Sequence, residues 1–197
     1  TGDGATRSAT GTLYGPFTSQ SAAHCSGPAV GTVSTTVKAN GDYTFPSLKP
    51  DAPGYYIWRV AVAGTPTALP VSACDAATTV KAVASVSVTA QKPTTLKAPD
   101  NATADVTLSG WSGTPAADVT LNVYGPYATE QALRDAACKG TILDSPSHKM
   151  NGGTTLPFSS YIEQGGWYAL QATVSSTDLS FGAQSTCADP GTELHVS

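Results

Sequence analysis

The stretch Gly166-Trp167-Tyr168-Ala169-Leu170-Gln171-Ala172-Thr173-Val174 decides the fold. In an extended chain, Tyr168, Leu170, Ala172 and Val174 fall on one face, and Trp167, Ala169, Gln171 and Thr173 on the other. That two-residue period predicts a β-strand. The same entry occurs earlier as Gly54-Tyr55-Tyr56, and there Tyr56, Trp58, Val60 and Val62 alternate with Tyr55, Ile57, Arg59 and Ala61. The first set in each stretch is the expected core face. Tyr14-Gly15-Pro16-Phe17 likewise recurs as Tyr124-Gly125-Pro126-Tyr127. The cysteines keep the same spacing, with Cys25 and Cys74 standing 49 positions apart and Cys138 and Cys187 also 49 apart. The chain therefore reads as two copies of one unit, divided as 1–84 and 85–197.

Four cysteines allow three pairings, and the repeat selects Cys25 with Cys74 and Cys138 with Cys187. No CxxC is present and the three histidines are scattered, so neither a zinc site nor any other cofactor is expected. Disulfides imply an oxidising, extracellular setting and an upstream secretion signal. Charged residues make up only 12% of the 197 and the net charge is -4, with hydroxyl and small residues taking their place. Nucleic-acid binding needs clustered Lys and Arg, which the sequence lacks. No apolar run approaches the ~20 residues of a membrane span, so no membrane insertion is expected.

Gly and Pro interrupt the chain every ten residues or so, with Val and Thr between them, which predicts short strands and an all-β fold. In the second copy, strands are expected near 85–91, 104–111, 119–124, 141–150, 154–159, 166–174 and 192–196. Strands of that number and length predict two tandem immunoglobulin-like β-sandwiches, each with one disulfide. The one helical candidate is 129–137, expected as a short surface helix. Tyr56 and Tyr168 are candidates for a tyrosine corner, in which a phenol ties a loop to the sheet. The cysteines fall outside the central strands and are expected to join loops at one end of each sandwich.

Leu13-Tyr14-Gly15-Pro16-Phe17, Cys25, Gly41-Asp42-Tyr43-Thr44, Pro53-Gly54-Tyr55-Tyr56-Ile57-Trp58-Arg59 and Cys74 together resemble an immunoglobulin-like repeat of actinobacterial surface proteins. Those Gram-positive proteins are long, cell-wall-anchored chains of such modules. The second copy matches more loosely, with Leu170 and Gln171 in place of Trp58 and Arg59. The resemblance implies a non-catalytic structural or adhesive role, as disulfide-stapled stalk or assembly modules outside the cell.

No catalytic residue is expected. The sequence has no Gly-x-Ser-x-Gly elbow and no His-Glu-x-x-His, and His24, His148 and His195 read as solvent-facing. Asp100-Asn101 and Asn40-Gly41-Asp42 offer oxygen atoms but no full calcium loop, and turn chemistry accounts for them. Lys92, Lys97, Asn122 and Asp105 supply the atoms of an internal isopeptide bond, which would need a buried acid beside the reacting pair. Tyr55, Trp111 and Trp167 are the candidate ligand-binding residues, because sugars stack on exposed aromatic faces. Packing against a neighbouring domain is the other reading of Trp111 and Trp167. A carbohydrate-binding or adhesin module is accordingly the alternative function, with a host or cell-surface protein or glycan as partner.

The two copies differ at their starts. In the second, about 25 residues with two predicted strands precede the Tyr-Gly-Pro strand and its short lead-in. In the first, only 1–8 precede it, and they do not alternate. A first module short of two strands would expose an edge and an apolar face. Self-association through this incomplete module, lost upstream sequence and a smaller sandwich with a rearranged edge are three ways to resolve the shortfall.

Overall fold

The computed structural model describes residues 5–38, 40–91, 96–112 and 116–197. The chain is nearly all β and divides into two compact units, Thr1–Lys81 and Ala82–Ser197. The division falls after Lys81 because Ala82 and Val83 pair with Ser180 and Phe181 of the second unit.

The first unit contributes β1 (Arg7–Phe17), β2 (Ala29–Val37), β3 (Gly54–Val62) and β4 (Val71–Val80), with a single 3-10 turn at Gln20–Ala22. They form one antiparallel sheet in the order β2-β1-β3-β4. The alternation of β1 is explicit, since Ala9, Gly11, Leu13 and Gly15 are buried while Thr10, Thr12 and Tyr14 are only half-buried. This is the pattern of a sheet with one face toward apolar material and one toward water.

The second unit contributes β5 (Ala82–Val83), β6 (Ser85–Ala90), β7 (Asp100–Ser109), β8 (Ala117–Tyr127), α1 (Glu130–Ala136), β9 (Ile142–Asp144), β10 (Ser147–Met150), β11 (Thr154–Ile162), β12 (Gly166–Val174), β13 (Ser180–Phe181), β14 (Ala183–Gln184) and β15 (Glu193–Val196). One sheet runs β10-β8-β12-β14, with β15 also on β12 and β9 on β8. The other runs β11-β7-β6. Val86, Val106, Leu108 and Phe158 from the smaller sheet meet Leu121, Val123, Tyr168 and Leu170 from the larger in one buried core. Two sheets enclosing a shared core make a β-sandwich. The strand expected over 141–150 is split in two at Pro146, whose carbonyl instead accepts from the Leu121 N–H at 2.9 Å. Helix α1 lies where a helix was predicted. The Thr129 side chain caps it by accepting from the Ala132 N–H at 3.1 Å. Its Leu133 is fully buried on the far side of the large sheet, with Tyr124 and Ala169.

The two units share one register. Leu13 faces Trp58, Gly11 faces Val60 and Ala9 faces Val62 across β1 and β3. Val123 faces Leu170, Leu121 faces Ala172 and Val119 faces Val174 across β8 and β12. A one-residue slip would exchange the faces of a strand, so this agreement means the same side of each sheet is apolar. The first unit thus holds the counterpart of the large sheet. Among the described residues it has no counterpart of β6 and β7.

Candidate functional site

The repeated motifs interlock. A Cβ added to Gly15 would lie 2.6 Å from the Tyr56 ring, and one added to Gly125 would lie 2.8 Å from the Tyr168 ring. Reciprocally, a Cβ on Gly54 would lie 2.5 Å from Pro16 Cβ, and one on Gly166 2.9 Å from Pro126 Cβ. Each Tyr-Gly-Pro therefore fits the Gly-x-Tyr of its own copy, and glycine is required at the contact because Gly15 and Gly125 also sit at φ +138 and +137. The seated tyrosines make the expected corners. Tyr56 Oη donates to the Ala52 carbonyl at 2.5 Å, and Tyr168 Oη to the Gln164 carbonyl at 2.6 Å. Burial holds both phenols above the usual 10.0, and the Asp51 carboxylate adds to the effect at Tyr56.

Both disulfides form within their copies, Cys25–Cys74 with Cα atoms 5.9 Å apart and Cys138–Cys187 with 6.0 Å. They fit an oxidising, extracellular environment. The second joins the loop after α1 to a loop, as expected. The first differs, because Cys74 lies within β4, opposite Arg59. A run of Ala, Thr and Val continues that strand through the cysteine. The pairing slips at Trp58/Arg59, leaving Asp75 as an extra residue between Cys74 and Ala76.

The expected core face of the first unit is covered on one side only. Over β1 and β2, Phe45 lies against Gly11 and Leu48 against Gly31, at 3.4 and 3.2 Å from where a Cβ would stand. Over β3 and β4 the face opens. Of its four expected core residues on β3, Tyr56 is buried, while Trp58, Val60 and Val62 are half-buried. On β4, Val71 is 64% exposed, and Ala73 and Ala76 are exposed too. Their counterparts Leu170, Ala172 and Val174 are all buried. Gly11 also explains why Trp58 replaces Leu170, since the indole reaches within 3.4 Å of a Cβ placed there, in space that Leu121 fills in the second unit.

Within the second unit, the candidate ligand-binding residues Trp111 and Trp167 pack in separate clusters. Trp111 is half-buried against the sandwich core. Trp167 is half-buried in a separate cluster with Tyr127, Cys138 and Cys187, and its ring lies 4.7 Å from that of His195. Tyr55 belongs to the first unit, where it pairs with Phe17 and Thr79. The histidines are exposed, as read, but each rests on an aromatic, His24 on Phe17 at 4.9 Å and His148 on Phe158 at 4.6 Å. Lys92 lies outside the described residues. Asp105 accepts from Gln91 and Asn122 accepts from Ser145, on strands of different sheets. Asp100 and Asn101 open β7 opposite Ile162 and Tyr161 rather than forming a turn, and Asp100 Oδ1 accepts from the Asn101 N–H at 2.7 Å. No group of three metal-ligating side chains occurs among the described residues, and none of their helices is long and apolar enough to cross a membrane.

The covering role of Phe45 and Leu48 was missed from sequence. Tyr43, Phe45 and Leu48 carry an apolar signal, but Pro46 and Pro50 remove donors and suppress a strand assignment. No protein-family model and no curated protein matches the chain.

Proposed function

We propose that this chain is a non-catalytic structural and adhesive segment of a bacterial surface or secreted protein, working as disulfide-stapled stalk or assembly modules. The resemblance of the Tyr-Gly-Pro and Gly-x-Tyr motifs to actinobacterial wall-anchored repeats supports a Gram-positive cell-wall setting. The observation that carries the reading is the repetition of one plan, in which a locked tyrosine corner and one disulfide recur in tandem. Such a unit resists extension through its backbone ladders, and the bridge limits how far it unravels.

Force spectroscopy of the full chain tests this. With the bridges intact, the second unit is expected to give a resolved unfolding peak. Reduction should lengthen its release by about 170 Å, the reach of the 49 residues spanned by the bridge at roughly 3.4 Å each. A second unit that extends without a resolvable peak would count against a stalk.

A further inference from the structure

We propose that Asn151 is a self-modification site. The Gly152 backbone nitrogen displaces the Asn151 side-chain amide, and water then opens the resulting ring to aspartate or isoaspartate.

The site is a joint between the two sheets of the second unit. Asn151-Gly152-Gly153 joins β10 of the larger sheet to β11 of the smaller, and all three residues are exposed. Glycine is fixed at 152, because a Cβ there would lie 2.5 Å from the Trp111 carbonyl oxygen. The fold therefore keeps, directly after Asn151, the one residue type with no side chain to shield its nitrogen. Neither the Gly152 N–H nor the Asn151 carboxamide makes a hydrogen bond among the described residues. The attacking atom and the group it attacks are both unoccupied and open to water.

The neighbouring threonine supplies the activation. Removing the Gly152 amide proton leaves an anion shared between that nitrogen and the Asn151 carbonyl oxygen. Thr154 Oγ1 donates to this oxygen at 2.6 Å. A hydrogen bond already made to the neutral carbonyl thus strengthens as charge develops on it. The nitrogen then attacks Asn151 Cγ, the bond from Cγ to the amide nitrogen breaks, and ammonia leaves with a proton taken from water. The product is a cyclic imide, succinimide. Water adds to either ring carbonyl. Addition at Cγ leaves aspartate in an ordinary chain, and addition at the backbone carbonyl leaves isoaspartate, in which the chain runs through Cγ.

Asn101 and Asn122 lack this arrangement. Each is followed by a residue with a side chain, Ala102 and Val123, and each lies within a strand, β7 and β8. Asn122 Oδ1 also accepts from Ser145 Oγ at 2.9 Å. At Asn151 the isoaspartate product lengthens the main chain by one carbon. That carbon enters between Met150, which is buried, and Gly153, whose N–H donates to the Leu108 carbonyl at 2.7 Å. Gly152 must then leave its seat on Trp111, so the change is felt where the two sheets are joined.

The test incubates the full chain in mildly alkaline buffer and follows each asparagine by peptide mapping. Conversion is read as the mass gain from amide to acid, and isoaspartate is located by backbone fragmentation. Asn151 is expected to convert well before Asn101 and Asn122. Thr154→Val is expected to slow it about tenfold, the worth of one charge-assisted hydrogen bond. Thr154→Ser should restore the parent rate. Asn40, also followed by glycine, is the internal control and should keep its rate in every variant. In concentrated urea, where the Thr154 contact is lost, the parent and Thr154→Val should convert alike. An Asn151 that stays intact while Asn101 or Asn122 converts would overturn the proposal. So would a native Thr154→Val chain that converts as fast as the parent or faster, or a Thr154→Val effect that persists in urea.

Discussion

Reduction of both disulfides is expected to unfold the first unit and leave the second folded. Each bridge spans 49 positions, so loop closure contributes the same amount to both, about 4 kcal/mol. That is a large share of the roughly 5–15 kcal/mol by which domains are stable. The cores decide which unit survives the loss. In the second, Val106, Leu108, Phe158 and Leu121 are among many apolar side chains at 0–1% exposure, each worth about 1.5–3 kcal/mol of burial. In the first, Ala9, Leu13 and Tyr56 are the only buried apolar side chains among the described residues. The assay uses the tryptophans as separate reporters, since Trp58 lies in the first unit and Trp111 and Trp167 in the second. A Trp111→Phe/Trp167→Phe variant reads the first unit alone by fluorescence in a urea titration, with and without reductant. The expected result is an unfolded first unit in reductant without urea, beside a second unit that still melts cooperatively at a lowered midpoint. Coincident transitions after reduction, or a first unit that keeps its oxidised midpoint, would refute the reasoning.

Tyr168→Phe removes the corner hydrogen bond and is expected to cost the second unit about 1 kcal/mol in a denaturant titration. Because burial raises both corner phenols, their protonated forms favour the folded state. Their contribution is therefore complete below pH ~10 and lost as pH rises through the raised value; a Tyr56→Phe/Tyr168→Phe double variant should show a shallower alkaline loss of stability than the parent. Gly125→Ala should destabilise by about 1–3 kcal/mol from the backbone alone, with more from overlap with the Trp167 carbonyl, and a neutral midpoint would contradict the interlock. Leu133→Ala, which empties the contact between α1 and the sheet, should cost about 2–5 kcal/mol in the same titration.

The sandwich was legible because its strands are long and alternate. The stretch from Gly166 to Val174 is a strand with Tyr168, Leu170, Ala172 and Val174 in the core, as its period requires. The corners and the cysteine pairs were legible because the repeat gave each residue a partner copy to be compared with. What sequence could not give was coverage. Trp58, Val60 and Val62 alternate as cleanly as their counterparts, yet burial depends on what lies opposite, and alternation says nothing about that. Trp111 and Trp167 failed to converge for a related reason. Both are strongly apolar and each found its own packing site, one in the main core and one beside the disulfide.

The connection between the Tyr-Gly-Pro strand and the first cysteine has a use of its own. In the first unit Ser19 caps the short turn Gln20–Ala22, all of it exposed, and in the second Thr129 caps the longer α1 by the same bond. The extra turn was accommodated ahead of the crosslink, whose span stayed at 49. This is a natural splice point, where the scaffold has already accepted added length without disturbing its joints. A foreign epitope grafted at Gln20–Ala22 would be carried on an exposed loop that the neighbouring bridge anchors at Cys25, which makes the unit a display platform ready for cargo.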